Sequence, residues 1–173
     1  MYHKVKMNIL VAFSTSDKFY AKILRKIMKS HIHHTFLFVE LEGFGLMALE
    51  INQDGIRFVS SKRVMRYARR IECFEYIEDL TPGLLSMKDY LGKKYDWKGL
   101  IFGALRLLVK RYFHYESKKE IHNPNKMFCS EFVASVLKRS NVEGTQNWIT
   151  SNISPKMLYD FIENSKLFRE VTK

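Results

Sequence analysis

Between His34 and Val59 the chain passes through three short, largely apolar segments separated only by tight turns, and this pattern constrains the fold most. Segments 34–41, 46–51 and 56–59 are rich in apolar and β-branched residues and read as strands. Gly43 and Gly45 turn the chain between the first two, and 52–55 turns it before the third. Connections this short join neighbouring strands as antiparallel hairpins. One antiparallel sheet is therefore expected, and its uncovered face needs helices to pack against it.

The flanking segments supply more strands and the helices. Segment 7–13 is a buried strand, and 70–77 is another, carrying Cys73 in an alternating apolar run. Ser14, Thr15 and Ser16 are candidate caps for a helix over 17–28, with Phe19, Ala21, Ile23, Leu24, Ile27 and Met28 at helical spacing. Thr81 and Pro82 open a helix that Gly92 closes, and Asp96 caps another that runs to about Lys110. The polar stretch 114–126 contains Pro124 and reads as a loop. Segment 128–137 is a helix with Phe132, Val133, Val136 and Leu137 inward. Ser154 and Pro155 open a last helix ending near Asn164, and 168–171 is a short terminal strand. A block of strands followed by helices is an α+β domain, and 173 residues suit a single one over 1–173.

The formal net charge of +11 favours anionic partners, including an anionic surface. The basic residues are scattered, as in Arg69-Arg70, Lys93-Lys94 and Lys118-Lys119, without a zinc-finger spacing or an RNA-binding aromatic signature. A solvated basic surface is the plainer reading of them. Two cysteines make no disulfide framework, and Cys73 reads as a buried core thiol. The apolar stretch 99–109 is broken by Arg106 and is shorter than a membrane span. A cytoplasmic location is the expectation, with the oligomeric state left open.

Cys129 has a different setting from Cys73. It stands where a loop ends and a helix begins, in Met127-Phe128-Cys129-Ser130-Glu131-Phe132. The N–H groups of a helix N-terminus lack intrahelical partners and carry partial positive charge. They favour a thiolate and can receive an oxyanion. An inert, buried cysteine at a helix start is the competing reading. A thiol nucleophile also needs an imidazole. His31, His33 and His34 crowd the start of the 34–41 strand, where alternation places His34 with Phe36 and Phe38 and His33 with Thr35 and Leu37. Glu50, late in the next strand, can stand beside His34 and orient it, or can be an ordinary strand carboxylate facing solvent. His31 and His33 share a face as metal ligands would, but no further pair with zinc spacing accompanies them. No metal and no cofactor is expected.

These blocks together resemble a family. His34-Thr35-Phe36-Leu37-Phe38-Val39, the Glu50 strand before Gly55, Gly92-Lys93-Lys94-Tyr95-Asp96, Phe128-Cys129-Ser130-Glu131-Phe132-Val133 and the late Ser154-Pro155 helix are similar to the permuted NlpC-type cysteine hydrolases, especially the YiiX-like branch. The lecithin:retinol acyltransferase group is more distantly similar. The resemblance implies a circularly permuted papain-like fold, in which the histidine precedes the cysteine, and a catalytic set of Cys129, His34 and Glu50. It implies an amide or ester bond as target, in a peptide, peptidoglycan-like or acyl substrate. The chain departs from the family at Met7-Asn8-Ile9-Leu10, where Gly-Asp is common, and at the polar insert 114–125.

Three functions follow: an amidase or peptidase working through an acyl-enzyme, a lipid-directed acyltransferase or thioesterase, and a binding module with an inert cysteine. In the hydrolase reading the Phe36 and Phe38 face turns toward the helices and brings His34 to the thiol, while His33 points away and is dispensable.

Overall fold

A computed structural model of the protein describes residues 7–52, 55–90, 94–96 and 126–171. The expected Gly92 stop, the helix after Asp96 and the 114–125 insert lie outside the described residues.

A mixed α+β architecture forms around one six-stranded sheet. Its strands are β1 (Ile9–Thr15), β2 (His34–Leu41), β3 (Gly45–Asn52), β4 (Gly55–Ser60), β5 (Arg70–Tyr76) and, near the end of the chain, Phe168–Glu170. The spatial order is β4, β3, β2, β1, β5, then the terminal strand, and every neighbouring pair is antiparallel. The two hairpins read from the sequence are present, with Leu37 opposite Leu49 and Glu50 opposite Arg57. Gly43 and Gly45 take φ of 78° and 70° in the β2–β3 turn, a left-handed conformation that a residue with a Cβ adopts only at a cost.

Helices cover both faces. Three contribute before the second half of the chain: α1 (Phe19–Met28), α2 (Ser61–Tyr67) and α3 (Thr81–Leu85). Then come α4 (Cys129–Arg139) and α5 (Pro155–Glu163). Ser154 caps α5 as expected, its hydroxyl accepting from the Met157 N–H. The expected caps of α1 do not act so. Ser14 and Thr15 remain in β1, Ser16 turns to His33, and Lys18 holds the cap position without a side-chain bond. The helix opened by Pro82 is one short turn followed by a 3-10 turn at Lys88–Tyr90.

The main core lies between one face of the sheet and α4 and α5. Val11, Phe13, Leu37, Val39, Leu49, Ile51 and Phe74 from the strands meet Phe132, Val133, Val136, Leu137, Leu158 and Ile162. Helix α4 is buried along its whole run from Cys129 to Leu137, so it is the central helix of the domain rather than a surface one. Gly83 lets α3 press on its C-terminal end: a Cβ there would fall 2.2 Å from Ser140 Oγ and from the Val136 carbonyl. A smaller cluster on the opposite face joins Ala12, Phe36, Phe38, Ala48 and Val59 to Val64 of α2.

This second cluster corrects one expectation. Phe36 and Phe38 do not face the Cys129 helix; Leu37 and Val39 do. The reason is α2, whose sequence Ser-Lys-Arg-Val-Met-Arg-Tyr buries only Val64 and so carries little helical periodicity. It supplies the cover that Phe36 and Phe38 need on the far face. Cys73 is also corrected: it is half-buried at the margin of this cluster, not within the main core.

Candidate functional site

The residues singled out from the sequence meet at one end of β2. His34 is the first residue of that strand, and its ring stacks on Phe36 with centroids 5.8 Å apart. It therefore lies on the Phe36 side of the sheet, whereas Cys129 belongs to the core on the other side. They meet because each stands at the beginning of its element, where the strand ends and the helix N-terminus comes past it. A parallel ladder of Lys94-Tyr95 with Lys126-Met127, extended by the Asp96 N–H donating to the Met127 carbonyl at 3.0 Å, pins the chain just before Cys129.

His34 stands beside the Cys129 thiol, close enough for charge and hydrogen bonding to couple the two groups, and the backbone N–H groups of Thr35 and Ser130 act on the same sulfur. Thr35 is itself fixed by its hydroxyl, which donates to the Ala12 carbonyl at 2.9 Å. Burial by itself would raise the thiol pKa. The His34 charge and hydrogen bond, with the two backbone donors, outweigh it and hold the thiol below its ordinary value. For His34 burial lowers the pKa, and the Cys129 and Glu50 charges and hydrogen bonds reverse that and raise it. The arrangement favours a thiolate–imidazolium pair. Cys73 is the opposite case, since burial alone pushes its thiol up to about 11.

Glu50 stands on the far side of the imidazole. Its Oε2 lies 3.7 Å from His34 Nε2. Continuing the β2–β3 register makes the two residues diagonal neighbours on one sheet face, the reach that the sequence suggested. The carboxylate is buried, not solvent-facing, and has two further partners. Oε1 accepts from Arg57 Nε at 3.2 Å and Nη2 at 2.9 Å, and Oε2 accepts from the Tyr67 hydroxyl at 2.8 Å. Burial opposes its ionisation, but the nearby His34 and the bonds from Arg57 and Tyr67 bring its pKa down to about 2.

His33 and His31 are placed elsewhere. His33 is buried with Nε2 3.4 Å from Ser16 Oγ, and among the described residues its Nδ1 has no hydrogen-bond partner. Burial first, then the nearby charges of His34, Arg25 and Lys18, lower its pKa to about 4, so it is neutral at physiological pH. His31 Nε2 lies 2.9 Å from Glu72 Oε1. The two histidines thus bind different partners. Among the described residues no group of three or more His, Cys, Asp or Glu is arranged to hold a metal ion.

Arg57, Tyr67 and Tyr20 were not identified from the sequence. Arg57 was within reach of it, because the 52–55 turn sets it directly opposite Glu50. Tyr67 ends the unexpected α2. Tyr20, on the first turn of α1, is 45% exposed and lies close enough for the Cys129 and Glu50 charges to raise its pKa after burial has done so. Among the described residues no helix is long and apolar enough to cross a membrane.

No protein-family model matches the chain, and no curated protein matches its sequence. Among solved structures it is similar to the metalloprotein yiiX of Escherichia coli O157:H7, with a TM-score of 0.62 and 13% identity over 99% of this chain and 98% of that one. At that identity the likeness is one of fold, and the chain has a YiiX-like fold along nearly its whole length.

Proposed function

We propose that the protein is a cysteine hydrolase of the permuted papain-like, NlpC-type plan, acting on an amide or ester bond, with Cys129 as nucleophile, His34 as base and Glu50 as its orienting carboxylate. One observation carries this reading: a thiol at the N-terminus of a buried helix is coupled to an imidazole that also stands 3.7 Å from a buried carboxylate. A structural cysteine needs neither the imidazole nor the backbone donors.

The chemistry follows the geometry. The Cys129 sulfur attacks the substrate carbonyl, forming a C–S bond while the carbonyl electrons move to oxygen. The first-turn N–H groups of α4 lie at the end of the helix where that negative oxygen develops. Collapse breaks the C–N or C–O bond, and the imidazolium of His34 gives its proton to the leaving group. Water, deprotonated by His34, then attacks the thioester; the acid leaves and the sulfur recovers as thiolate beside the imidazolium. Glu50 stays ionised and stabilises the imidazolium.

The solved relative is described as a metalloprotein. The described residues here do not suit a metal at Glu50, because its oxygens are already engaged by a guanidinium and a phenol. A cation there would meet the Arg57 charge. No step is assigned to a metal.

The test is exposure of the whole chain to a panel of peptidyl, acyl-ester and acyl-thioester electrophiles, read by intact mass and peptide mapping. The expected result is one acyl adduct on Cys129, with turnover that Cys129→Ala abolishes. Absence of any adduct on Cys129 across the panel would contradict the proposal and favour a binding module.

A further inference from the structure

The Glu50 carboxylate does not owe its position to His34. Its side chain is 4% exposed. The short contacts are those from Arg57 and Tyr67, while the imidazole nitrogen stands beyond ordinary hydrogen-bond length. A guanidinium beside a carboxylate normally takes both oxygens in a fork. Here Arg57 Nε and Nη2 both reach the same oxygen, Oε1, while the Tyr67 hydroxyl donates to Oε2. Tyr67 is delivered by a packed element: α2 is anchored through the fully buried Val64, three residues earlier.

We infer that Tyr67 is a positioning residue for the thiol–imidazole pair: its hydroxyl stops Arg57 from capturing the whole carboxylate and keeps one Glu50 oxygen turned to His34. Arg57 is the competitor in this arrangement. The inference rests on the reading of Cys129 and His34 as a reacting pair. Among the described residues, other titratable or charged groups near the pair include Tyr20 of α1, His33 with Lys18 and Arg25 beside it, Arg63 beside Tyr67, and Asp96, whose N–H bonds the Met127 carbonyl. None of these has a hydrogen bond to Glu50 in the way that Arg57 and Tyr67 do.

The two partners should act with opposite sign. In Tyr67→Phe the carboxylate is free to turn both oxygens to Arg57, and His34 loses support. In Arg57→Gln the competing cation is gone, and more of the carboxylate charge serves His34.

The experiment is the rate of Cys129 alkylation by iodoacetamide across pH, measured on the full chain. Tyr67→Phe is expected to move the half-reactivity pH up by about one unit, an approximately tenfold slower reaction below the midpoint. Arg57→Gln is expected to move it down. Glu50→Gln moves it up at least as far as Tyr67→Phe, and the double variant Glu50→Gln/Tyr67→Phe matches Glu50→Gln alone, because Tyr67 acts through that carboxylate. Tyr159→Phe, a change of the same kind at a different carboxylate, leaves the profile in place. An unshifted Tyr67→Phe profile, shifts of the same sign for Tyr67 and Arg57, or summed shifts in the double variant would overturn the inference. Should one single variant fail to fold, the sign of the other still decides. Failure of the underlying reading looks different: Cys129 of the unaltered chain would then alkylate no faster than Cys73 at any pH.

Discussion

Two of the buried carboxylates among the described residues, Glu50 and Glu72, are surrounded by the same kinds of residue. Glu50 is met by His34, Arg57 and Tyr67. Glu72 is met by His31 at 2.9 Å, Arg70 at 3.0 Å and the Tyr159 hydroxyl at 2.6 Å. Both side chains are 4% exposed. The difference lies beyond the histidine. His34 is 19% exposed and bonds a thiol at a helix N-terminus, whereas His31 is 49% exposed and packs edge-on against the Tyr159 ring. A histidine, an arginine and a tyrosine around an acid are thus a general way to compensate a buried charge. They do not mark a reactive site by themselves; in the proposed reading it is the sulfur beside His34 that makes the difference.

The comparison breaks most easily at the histidines. His34→Ala is expected to lower turnover by about three to four powers of ten, since a base or its equivalent is lost. His31→Ala should leave turnover within about twofold. Steady-state rates on whichever substrate acylates Cys129 give the answer, and a dead His31 variant beside an active His34 variant would exchange the roles of the two clusters. His33→Ala belongs with His31 in this respect.

The carboxylates themselves sharpen it. Glu50→Gln keeps a hydrogen-bond acceptor but loses the charge, and about a 10- to 100-fold drop in turnover is expected. Glu72→Gln should spare the thiol and instead destabilise the fold by about 1–3 kcal/mol, because Arg70 and His31 lose a charged partner. Thermal unfolding set against alkylation rate separates the two outcomes. Equal losses of reactivity in both variants would mean that stability alone is being measured.

A smaller effect concerns acid. His33 has a folded-state pKa of about 4 against an unperturbed value of about 6.5. As pH falls below about 6.5 the unfolded chain takes up this proton first, so stability declines down to about pH 4 and is intact above 6.5. The size is roughly 2–3 kcal/mol over that window. Glu50 adds its own loss only at lower pH, as pH falls from about 4.5 toward 2. Replacing His33 by Gln should flatten the urea-unfolding free energy between pH 6.5 and 4, and an unchanged slope would remove His33 from the explanation.

Much of the site was legible in the sequence because strands and helix starts leave local signals. The hairpins from His34 to Ser60 follow from glycine turns and apolar runs, and they bring Glu50 diagonally beside His34. Cys129 is recognisable as a helix start from Met127-Phe128-Cys129-Ser130. The face of β2 was misread because a strand apolar on both sides does not say which side a helix will take. The deciding element, α2, has one buried residue, Val64, and four polar or basic ones, so no periodicity announces it. Tyr67 depends on that helix and was invisible for the same reason. The Glu72 cluster joins β5, α5 and the approach to β2, residues far apart in the chain, and no spacing rule connects them.

The most direct measurement labels both cysteines in one sample. The whole chain is treated with iodoacetamide at pH 6, where an ordinary thiol is almost wholly protonated, and the two tryptic peptides are followed over time. The expected result is rapid modification of Cys129 with Cys73 essentially unreacted, and loss of the Cys129 reaction in His34→Ala. Slow modification of Cys129, equal rates at the two cysteines, or a Cys129 rate indifferent to His34 would contradict a thiolate–imidazolium pair at this site.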